Sequence, residues 1–287
     1  MEYLYSKQYE VLEADIKPGW KSNYYVSDIN HPIDLLPAFD SNPDVVFLLS
    51  AMVSRVTCEQ ASSLAIATNL SGINNVIQLC KRSNSRLVYF STSAVYGPEC
   101  NPMNESDSNP NPNNRYGLSK YLGEKLIEYE VRSHGLKAVT IRPFMIYDEN
   151  EEFGDYRSAM IRFACDLATN QPINVHKGSA RGWLHISDAT NAIEKAAHLK
   201  EYSVINIGHP EIETMLSLAE MIREYLDAPK SLITETDIPI RMTAIKNPTL
   251  DRQTDLLKTT PKINLKEGVS RVCFKVLERL KNGESIS

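Results

Sequence analysis

A tyrosine and a lysine four residues apart are the pair in this 287-residue sequence with the clearest capacity for acid–base chemistry. They are Tyr116 and Lys120, in the stretch NNRYGLSK at residues 113–120. Residues at this spacing share one face of a helix. A cation about 4 Å from a phenolate stabilises it by roughly 4 kcal/mol at an effective dielectric constant of about 20. This would lower a tyrosine pKa of about 10 by about three units. The pair therefore indicates a phenol that exchanges a proton with an alcohol near neutral pH.

The spacing alone does not select this pair, because Tyr3/Lys7 and Tyr121/Lys125 have it too. Each pair is also compatible with an exposed helix face on which the lysine stem covers apolar surface. The surroundings select Tyr116. An apolar run at residues 86–91 predicts a buried strand that ends at Thr92, and an Asn/Pro/Ser-rich loop at 101–114 then leads into a predicted helix at 116–133.

Apolar runs that alternate with helical segments predict the fold class. Predicted strands cover residues 10–15, 24–29, 44–49, 86–91 and 137–142, and predicted helices cover 31–39, 59–82 and 116–133. The second half is less regular, with helices at 156–169, 188–197, 216–226 and 268–280 and strands at 173–176, 183–187 and 203–207. Asp188 is the predicted N-cap of its helix. The pattern predicts an α/β protein with a parallel sheet, which binds ligands at the carboxyl ends of its strands, and a smaller mixed lobe.

The composition excludes several classes of protein. The net charge is −5 and no basic block occurs, which argues against a nucleic-acid-binding protein. No apolar run reaches the roughly 18 residues of a membrane helix. The five cysteines are scattered without a C-x-x-C pair, so we expect reduced thiols in a cytoplasmic protein and neither a disulfide framework nor a metal site.

Several ordered motifs resemble the extended short-chain dehydrogenase/reductase family, and in particular its NAD-dependent nucleotide-sugar epimerases and dehydratases. The resemblance covers roughly residues 9 to 210. The motifs are Ser27–Ile29, Leu49–Ala51, Asn69–Asn75, Phe90–Gly97, Tyr116–Lys120, Arg142–Phe144 and Arg181–Asp188. The resemblance implies a Rossmann-like, doubly wound parallel sheet. It divides the chain into an NAD-binding domain at 1–150, to which 185–208 returns, and a substrate-binding lobe at 151–184 and 209–287.

The resemblance also assigns roles to residues of this chain. Thr92, Tyr116 and Lys120 correspond to the catalytic threonine, the acid/base and the lysine that holds the nicotinamide ribose and lowers the tyrosine pKa. Ser93 and Arg181 are implied for nucleotide-sugar binding, and His185 is expected to be a packed core residue. NAD contacts are implied for Asp15, Asp28, Ile29, Leu49, Ser50, Ala51, Asn69, Tyr116 and Lys120. The family also pairs two helices across a homodimer, here predicted at 59–82 and 116–133.

The sequence departs from the family pattern in three places. It contains no Gly-x-x-Gly-x-x-Gly turn, which cradles the cofactor pyrophosphate. We therefore expect a shortened start that lacks a βα unit of roughly 25–30 residues with the central first strand, rather than a divergent member with impaired NAD binding. Ser93 and Ala94 stand where sugar dehydratases carry an Asp-Glu pair, which favours epimerisation or simple oxidoreduction. Met145 and Asp148-Glu149 replace a usual Asn and Gly-Pro, and the acidic run is expected to be a solvated loop.

Two alternative functions are compatible with these residues. One is an NAD-dependent reductase of a non-sugar alcohol or ketone, against which the phosphate-binding candidate Arg181 argues. The other is a pseudoenzyme or binding partner with the same fold, which the missing glycine turn favours. The intact set of Thr92, Tyr116 and Lys120 argues against the second, since a non-catalyst has no chemical need of all three.

Overall fold

The apolar runs predicted as strands form a parallel sheet in the computed structural model, which describes residues 1–106, 110–154 and 157–284. The elements of the first half are, in chain order, α1 (Glu2–Ser6), β1 (Glu13–Asp15), β2 (Tyr24–Val26), α2 (Pro32–Phe39), β3 (Val45–Leu48), α3 (Arg55–Gln60), α4 (Ser62–Ile66), a π-helical turn (Ala67–Gly72), α5 (Ile73–Ser83), β4 (Arg86–Phe90), a 3₁₀ turn (Ser93–Val95), α6 (Arg115–His134) and β5 (Ala138–Pro143).

The elements of the second half are β6 (Ile146–Tyr147), α7 (Ala159–Ala168), β7 (Ile173–His176), β8 (Ala180–Gly182), β9 (Leu184–His185), α8 (Ile186–Ala197), β10 (Val204–Ile207), β11 (Ile212–Thr214), α9 (Met215–Leu226), a 3₁₀ turn (Lys230–Leu232), β12 (Ile233–Thr236), β13 (Ile245–Lys246), α10 (Asp251–Leu257) and α11 (Leu265–Lys281).

The main sheet has four strands in the order β10-β5-β4-β3. Strands β3, β4 and β5 are parallel, with Leu48 opposite Tyr89 and Phe90 opposite Ile141. The interior strand β5 is buried over residues 138–142, as expected for a parallel strand covered by helices on both faces. The residues that follow these strands therefore lie along one edge of the sheet. The predicted α/β fold with a parallel sheet is confirmed.

Strands β1 and β2 form a second, separate parallel sheet of two strands. In the described part of the chain, β1 and β3 therefore each pair on one side only. Their side chains are correspondingly open: Ala14 and Asp15 of β1 are exposed, and Leu48 is the one fully buried residue of β3. The expected shortened start, without a central first strand, stays a prediction.

The predicted helical segment at 59–82 is confirmed except at Ala61, and the chain there forms four successive helical pieces. Ala61 has φ −115° and ψ 57° and ends α3, and α4 begins after it. The π-helical turn then inserts into the helix and buries Asn69 completely. Such π insertions are frequent at functional sites.

The described residues divide into two compact units. The first contains residues 1–97, 110–142 and 192–205, and the second contains 98–106, 143–154, 157–191 and 206–284. These bounds differ from the predicted domains because residues 98–106 belong to the second unit, where the Met103 amide donates to the Asn247 carbonyl at 2.7 Å. The core of the second unit joins β7 to α7, α9 and α11.

Two further expectations concern the second unit. Asp188 is not an N-cap, because α8 begins at Ile186. Its carboxylate instead accepts the amides of Lys262 and Ile263 at 2.9 and 3.0 Å. Part of the predicted helix at 156–169 is present as α7, and Tyr156 lies outside the described residues. Across the described ranges, no helix combines the length and the apolar character that crossing a membrane requires.

Candidate active site

The end of β4 presents Thr92 at the edge of the main sheet. Thr92 has extended backbone angles and caps the 3₁₀ turn Ser93–Val95, because its Oγ1 accepts the Ala94 amide at 3.2 Å. The Thr92 side chain is nearly buried, with 8% of its surface exposed. Ser93, the predicted substrate contact, is buried in the same turn.

Helix α6 brings Tyr116 to Thr92. The helix begins after Asn114, whose Oδ1 accepts the Gly117 amide at 2.9 Å. A β-carbon on Gly117 would lie 2.6 Å from the Ala94 carbonyl oxygen, so glycine permits the first turn of α6 to approach the 3₁₀ turn. As a result, the Thr92 hydroxyl lies close enough to the Tyr116 phenol to lower its pKa.

Lys120 lies one helical turn beyond Tyr116 and is almost completely buried. Its Nζ is 4.4 Å from the centroid of the Tyr89 ring, within cation–π distance. Burial lowers the pKa of Lys120 to about 7, although the negative charge of Glu124 raises it. When Lys120 is charged, its ammonium therefore makes a cation–π contact with the Tyr89 ring in a buried site.

The tyrosine does not have the lowered pKa that the sequence predicted. Burial raises the pKa of Tyr116 above 10, and the hydrogen bond with Thr92 opposes this in part. The expectation failed because burial acts on both partners: it destabilises the phenolate of Tyr116 and also the charged form of Lys120 that was expected to stabilise it. In the chain alone, Tyr116 therefore holds its proton at neutral pH.

Asn69 positions the loop after β3 relative to α6. Its Oδ1 accepts the Met52 amide at 2.8 Å, and its Nδ2 donates to the Met52 carbonyl at 3.0 Å and to the Ser119 hydroxyl at 2.9 Å. Ser119 in turn donates to the Tyr116 carbonyl at 2.8 Å. The Asn69 side chain, which was predicted to contact the cofactor, therefore bonds to protein groups. Through these bonds it fixes the geometry around Tyr116.

The other cofactor candidates in the first unit differ in exposure. Leu49 and Ser50 are exposed after β3, and Ala51 is half-buried. Asp15 is exposed at the end of β1 and accepts the Lys17 amide at 3.0 Å. Asp28 accepts the amide and side chain of Asn30, and Ile29 is buried.

Arg181 lies in the second unit and is buried on β8. Its Nη1 donates to the carbonyls of Ala180 and Ala244, and its Nη2 donates to the Thr243 carbonyl at 2.8 Å. Burial lowers the pKa of Arg181 to about 10. As folded, the guanidinium thus connects β8 to the segment before β13.

Lys246 stands directly opposite Arg181 in the parallel pairing of β13 with β8. Burial, together with the positive charge of Arg181, lowers the pKa of Lys246 to about 7. Two cationic side chains therefore lie side by side in the second unit. The sequence analysis did not identify Lys246, because a single lysine without a motif around it gives no signal of a site.

His185 is buried, as the sequence predicted, but it is also paired. Its Nε2 lies 2.6 Å from a Glu149 oxygen and its Nδ1 lies 2.8 Å from the Ser187 hydroxyl. Burial raises the pKa of Glu149, but hydrogen bonds to backbone and to His185 outweigh it and lower the pKa below its usual value. Glu149 is therefore a packed partner of His185 rather than part of a solvated loop.

The described residues contain no group of three or more His, Cys, Asp or Glu side chains that could hold a metal ion. A carboxylate that the sequence analysis missed does lie beside the site. Glu124 follows Lys120 by four residues on α6 and is buried, and the same helical spacing that related Tyr116 to Lys120 could have identified it.

Comparison with known proteins agrees with this architecture. Residues 1–208, more than half of the chain, match the model of the NAD dependent epimerase/dehydratase family. UDP-glucuronic acid decarboxylase 6 of Arabidopsis thaliana is 27% identical over 235 residues, or 79% of this chain and 67% of that protein.

Two crystal structures of UDP-glucose 4-epimerases share the fold. The Thermotoga maritima enzyme with UDP-glucose has a TM-score of 0.90 at 20% identity, covering 97% of this chain and 94% of that chain. The Thermus thermophilus enzyme with NAD has a TM-score of 0.84 at 20% identity, covering 96% of this chain and 94% of that chain. The fold and the matched family model agree with the motifs around Thr92 and Tyr116, and the chain belongs to the NAD dependent epimerase/dehydratase family.

Proposed function

We propose that this protein is a nucleotide-sugar epimerase or closely related oxidoreductase, and that Thr92, Tyr116 and Lys120 carry its chemistry. The proximity of the Thr92 hydroxyl to the Tyr116 phenol supports this most directly. It places two hydroxyl groups of different acidity together at the carboxyl edge of a parallel sheet, where ligands bind in such folds.

Tyr116 is the proposed acid/base for a sugar hydroxyl. It accepts the hydroxyl proton as the carbinol is oxidised and returns it when the ketone is reduced. Thr92 donates its single hydroxyl hydrogen to the reacting oxygen, which stabilises the negative charge that develops there. Lys120 stabilises the phenolate when charged. NAD, when bound, accepts the hydride from the sugar and returns it.

The residues of the first unit fit such a cofactor in part. We propose that Asp15, exposed at the end of β1, holds the adenosine ribose and that Leu49, Ser50 and Ala51 line the cofactor path. The exposed surface of Leu49 supports this. Lys120 is proposed for the nicotinamide ribose. Asp28 and Ile29 are proposed beside the adenine, and Asn69 acts through Met52 and Ser119.

We propose that the substrate carries a diphosphate, because relatives of this chain act on UDP-sugars. Arg181 and Lys246 are proposed to contribute positive charge for it, and their adjacency in register supports this. Anion binding would require Arg181 to exchange at least one backbone carbonyl for a phosphate oxygen. Ser93 is proposed as a further substrate contact.

The absence of a carboxylate pair at Ser93 and Ala94 favours epimerisation over dehydration. Exposed apolar residues on α6 support a homodimer through this helix, as the family resemblance implies. The five cysteines are all unbridged, which supports a reducing compartment and hence the cytoplasm.

The test is to incubate the purified protein with NAD and, separately, UDP-glucose, its 4-epimer and UDP-glucuronic acid, and to identify products by NMR. Interconversion of the two 4-epimers is expected. Loss of CO₂ from UDP-glucuronic acid would show that the reaction is a decarboxylation and not an epimerisation. Absence of any sugar turnover, with NAD binding demonstrated, would contradict the proposed function and favour the pseudoenzyme or a non-sugar substrate.

A further inference from the structure

A buried carboxylate connects the three elements that form the candidate active site. Glu124 lies on α6, four residues after Lys120, with 3% of its surface exposed. Its Oε1 accepts a hydrogen bond from the Ser91 hydroxyl and another from Arg142 Nε at 3.0 Å. Its Oε2 accepts Arg142 Nη2 at 2.6 Å. We call Ser91, Glu124 and Arg142 the carboxylate cluster.

The members of the carboxylate cluster adjoin the residues proposed for chemistry. Ser91 immediately precedes Thr92 at the end of β4, and Arg142 lies near the end of β5. The cluster thus ties the ends of β4 and β5 to α6 at the level of Lys120. A bidentate pair fixes geometry as well as charge.

The Glu124 carboxylate is paired with Arg142, and its charge also acts on Lys120. Burial lowers the pKa of Arg142, but the hydrogen bond and charge of Glu124 outweigh it and raise the pKa above its usual value. Glu124 is also the source of negative charge that favours the ammonium form of Lys120 against burial. Without the Glu124 carboxylate, Lys120 would keep only its contact with the Tyr89 ring, and the positive charge of Arg142 would no longer be compensated.

Other ionisable groups act on Lys120 or on the groups next to it. Tyr89 contacts Lys120, Tyr89 and Tyr202 feel the charge of Glu124, Tyr96 interacts with Arg142, and Cys58 acts on Tyr116. The pKa values of Tyr89, Tyr116 and Tyr202 are all raised by burial. Glu124 is therefore the negative group that acts on Lys120 at neutral pH.

We propose that Glu124 is a positioning residue: its carboxylate, paired with Ser91 and Arg142, holds the ends of β4 and β5 against α6 and places a negative charge one helical turn from Lys120. The consequence for catalysis rests on the role of Lys120 in the proposed function. The effect of Glu124 on the protonation of Lys120 does not rest on the proposed function, and it can be measured in the protein without substrate or cofactor.

The test follows the Lys120 side chain by NMR in protein labelled with ¹³C at lysine Cε, whose shift titrates with the ammonium, and Lys120→Arg assigns the signal. Glu124→Gln should lower the titration midpoint of Lys120 by about one pH unit or more. Arg142→Gln removes the cation that is paired with Glu124 and should raise the titration midpoint of Lys120 by a similar amount. A role confined to packing predicts no such opposite pair of shifts.

A matched control is available on the same helix. Glu130 is also buried and pairs with Lys81 Nζ at 2.8 Å, but it lies ten residues beyond Lys120 in sequence. Glu130→Gln should leave the Lys120 midpoint within about 0.3 units of the wild type. Thermal unfolding of each variant establishes that it is folded, and if Glu124→Gln does not fold, the rise in Arg142→Gln decides the matter.

An unchanged Lys120 midpoint in a folded Glu124→Gln variant, or shifts of the same sign in both variants, would overturn the inference. Where sugar turnover is present, the alkaline limb of the kcat–pH profile of Glu124→Gln should move to lower pH by the same amount as the midpoint. Opposite NMR shifts in a protein without turnover would retain the role of Glu124 and refute the proposed function alone.

Discussion

The hydroxyl of Thr92 lies beside the phenol of Tyr116 and lowers its pKa, although one follows a strand and the other is in the first turn of a helix after an intervening loop. The close approach of Gly117 to the Ala94 carbonyl makes this contact sterically possible. The pair provides the geometry on which the first prediction depends.

Replacing Tyr116 by Phe should reduce kcat by about 100-fold or more, because the substrate hydroxyl then has no acid/base partner. NAD affinity, measured by fluorescence quenching, should remain close to that of the wild type. Tyr121→Phe is the matched control, since Tyr121 has the same spacing to Lys125 but lies outside the site. Equal turnover by the wild type and Tyr116→Phe would contradict the acid/base role.

Replacing Lys120 by Met should stabilise the protein at acidic pH. The folded pKa of about 7 lies below the ordinary lysine value of 10.5, so the unfolded state binds more protons between these pH values and wild-type stability rises with pH in that window. At pH 6 the variant should gain about 1–3 kcal/mol in free energy of unfolding, because it no longer buries a cation.

The gain should shrink as the pH rises from 7 to 10 and vanish only above the ordinary lysine pKa of 10.5, where lysine is neutral in both states. Urea unfolding at pH 6, 8 and 10 measures this. Lys125→Met, at an exposed position on the same helix, should show no comparable trend. A variant less stable than the wild type at pH 6 would show that burial does not act on Lys120 as described.

Replacing Asn69 by Ala should free the loop after β3 from α6. The variant loses three hydrogen bonds and leaves the Met52 amide unpaired, although the Met52 carbonyl still accepts the Cys58 thiol at 3.4 Å. The loss should cost about 2–4 kcal/mol. Hydrogen exchange at the Met52 amide should accelerate and NAD affinity should fall. Asn75→Ala, which removes one hydrogen bond to the Ile29 carbonyl, should cost less, and an equal cost would argue against a special role for Asn69.

Helix α6 carries exposed apolar side chains at Leu118, Leu122 and Tyr129, which share one face. If this face forms the homodimer, Leu122→Arg combined with Tyr129→Arg should convert the protein to monomers in analytical ultracentrifugation. Phe274→Arg, at an exposed position on α11, should leave the dimer intact. A wild-type protein that is monomeric at micromolar concentration would refute the dimer.

Replacing Gly268 by Ala should destabilise the second unit. A β-carbon there would overlap the Tyr147 hydroxyl, and overpacking of this kind costs about 1–3 kcal/mol. That hydroxyl is buried without a hydrogen-bond partner in the part of the chain that the structure covers, so Tyr147→Phe alone should be neutral or stabilising by up to about 1 kcal/mol. The double variant should recover part of the loss in thermal unfolding, and additive effects would exclude the contact as the cause.

Local patterns in the sequence were sufficient for the parallel strands and for α6. The apolar run at residues 86–91 and the cap at Asn114 are encoded by neighbouring residues, so β4 and α6 occur close to where they were predicted. The helical segment at 59–82 occurs where it was predicted, but its π-helical turn had no local signal, because Asn69 in that turn bonds to Met52 and Ser119, which are distant in sequence. Asp188 was taken as a cap because its partners at 262 and 263 have no local signal.

The sequence by itself determined the fold, the family and the choice of Tyr116 among three pairs of equal spacing, since periodicity and motif order are properties of the chain. Only the tertiary structure decided that Lys120 is desolvated against Tyr89, that Arg181 is held by backbone carbonyls with Lys246 beside it, and that Glu124 connects Ser91 and Arg142. These properties depend on burial and on partners brought together through space. The protonation state of Tyr116 is set by that packing, because burial opposes charge on the phenol and on the lysine alike.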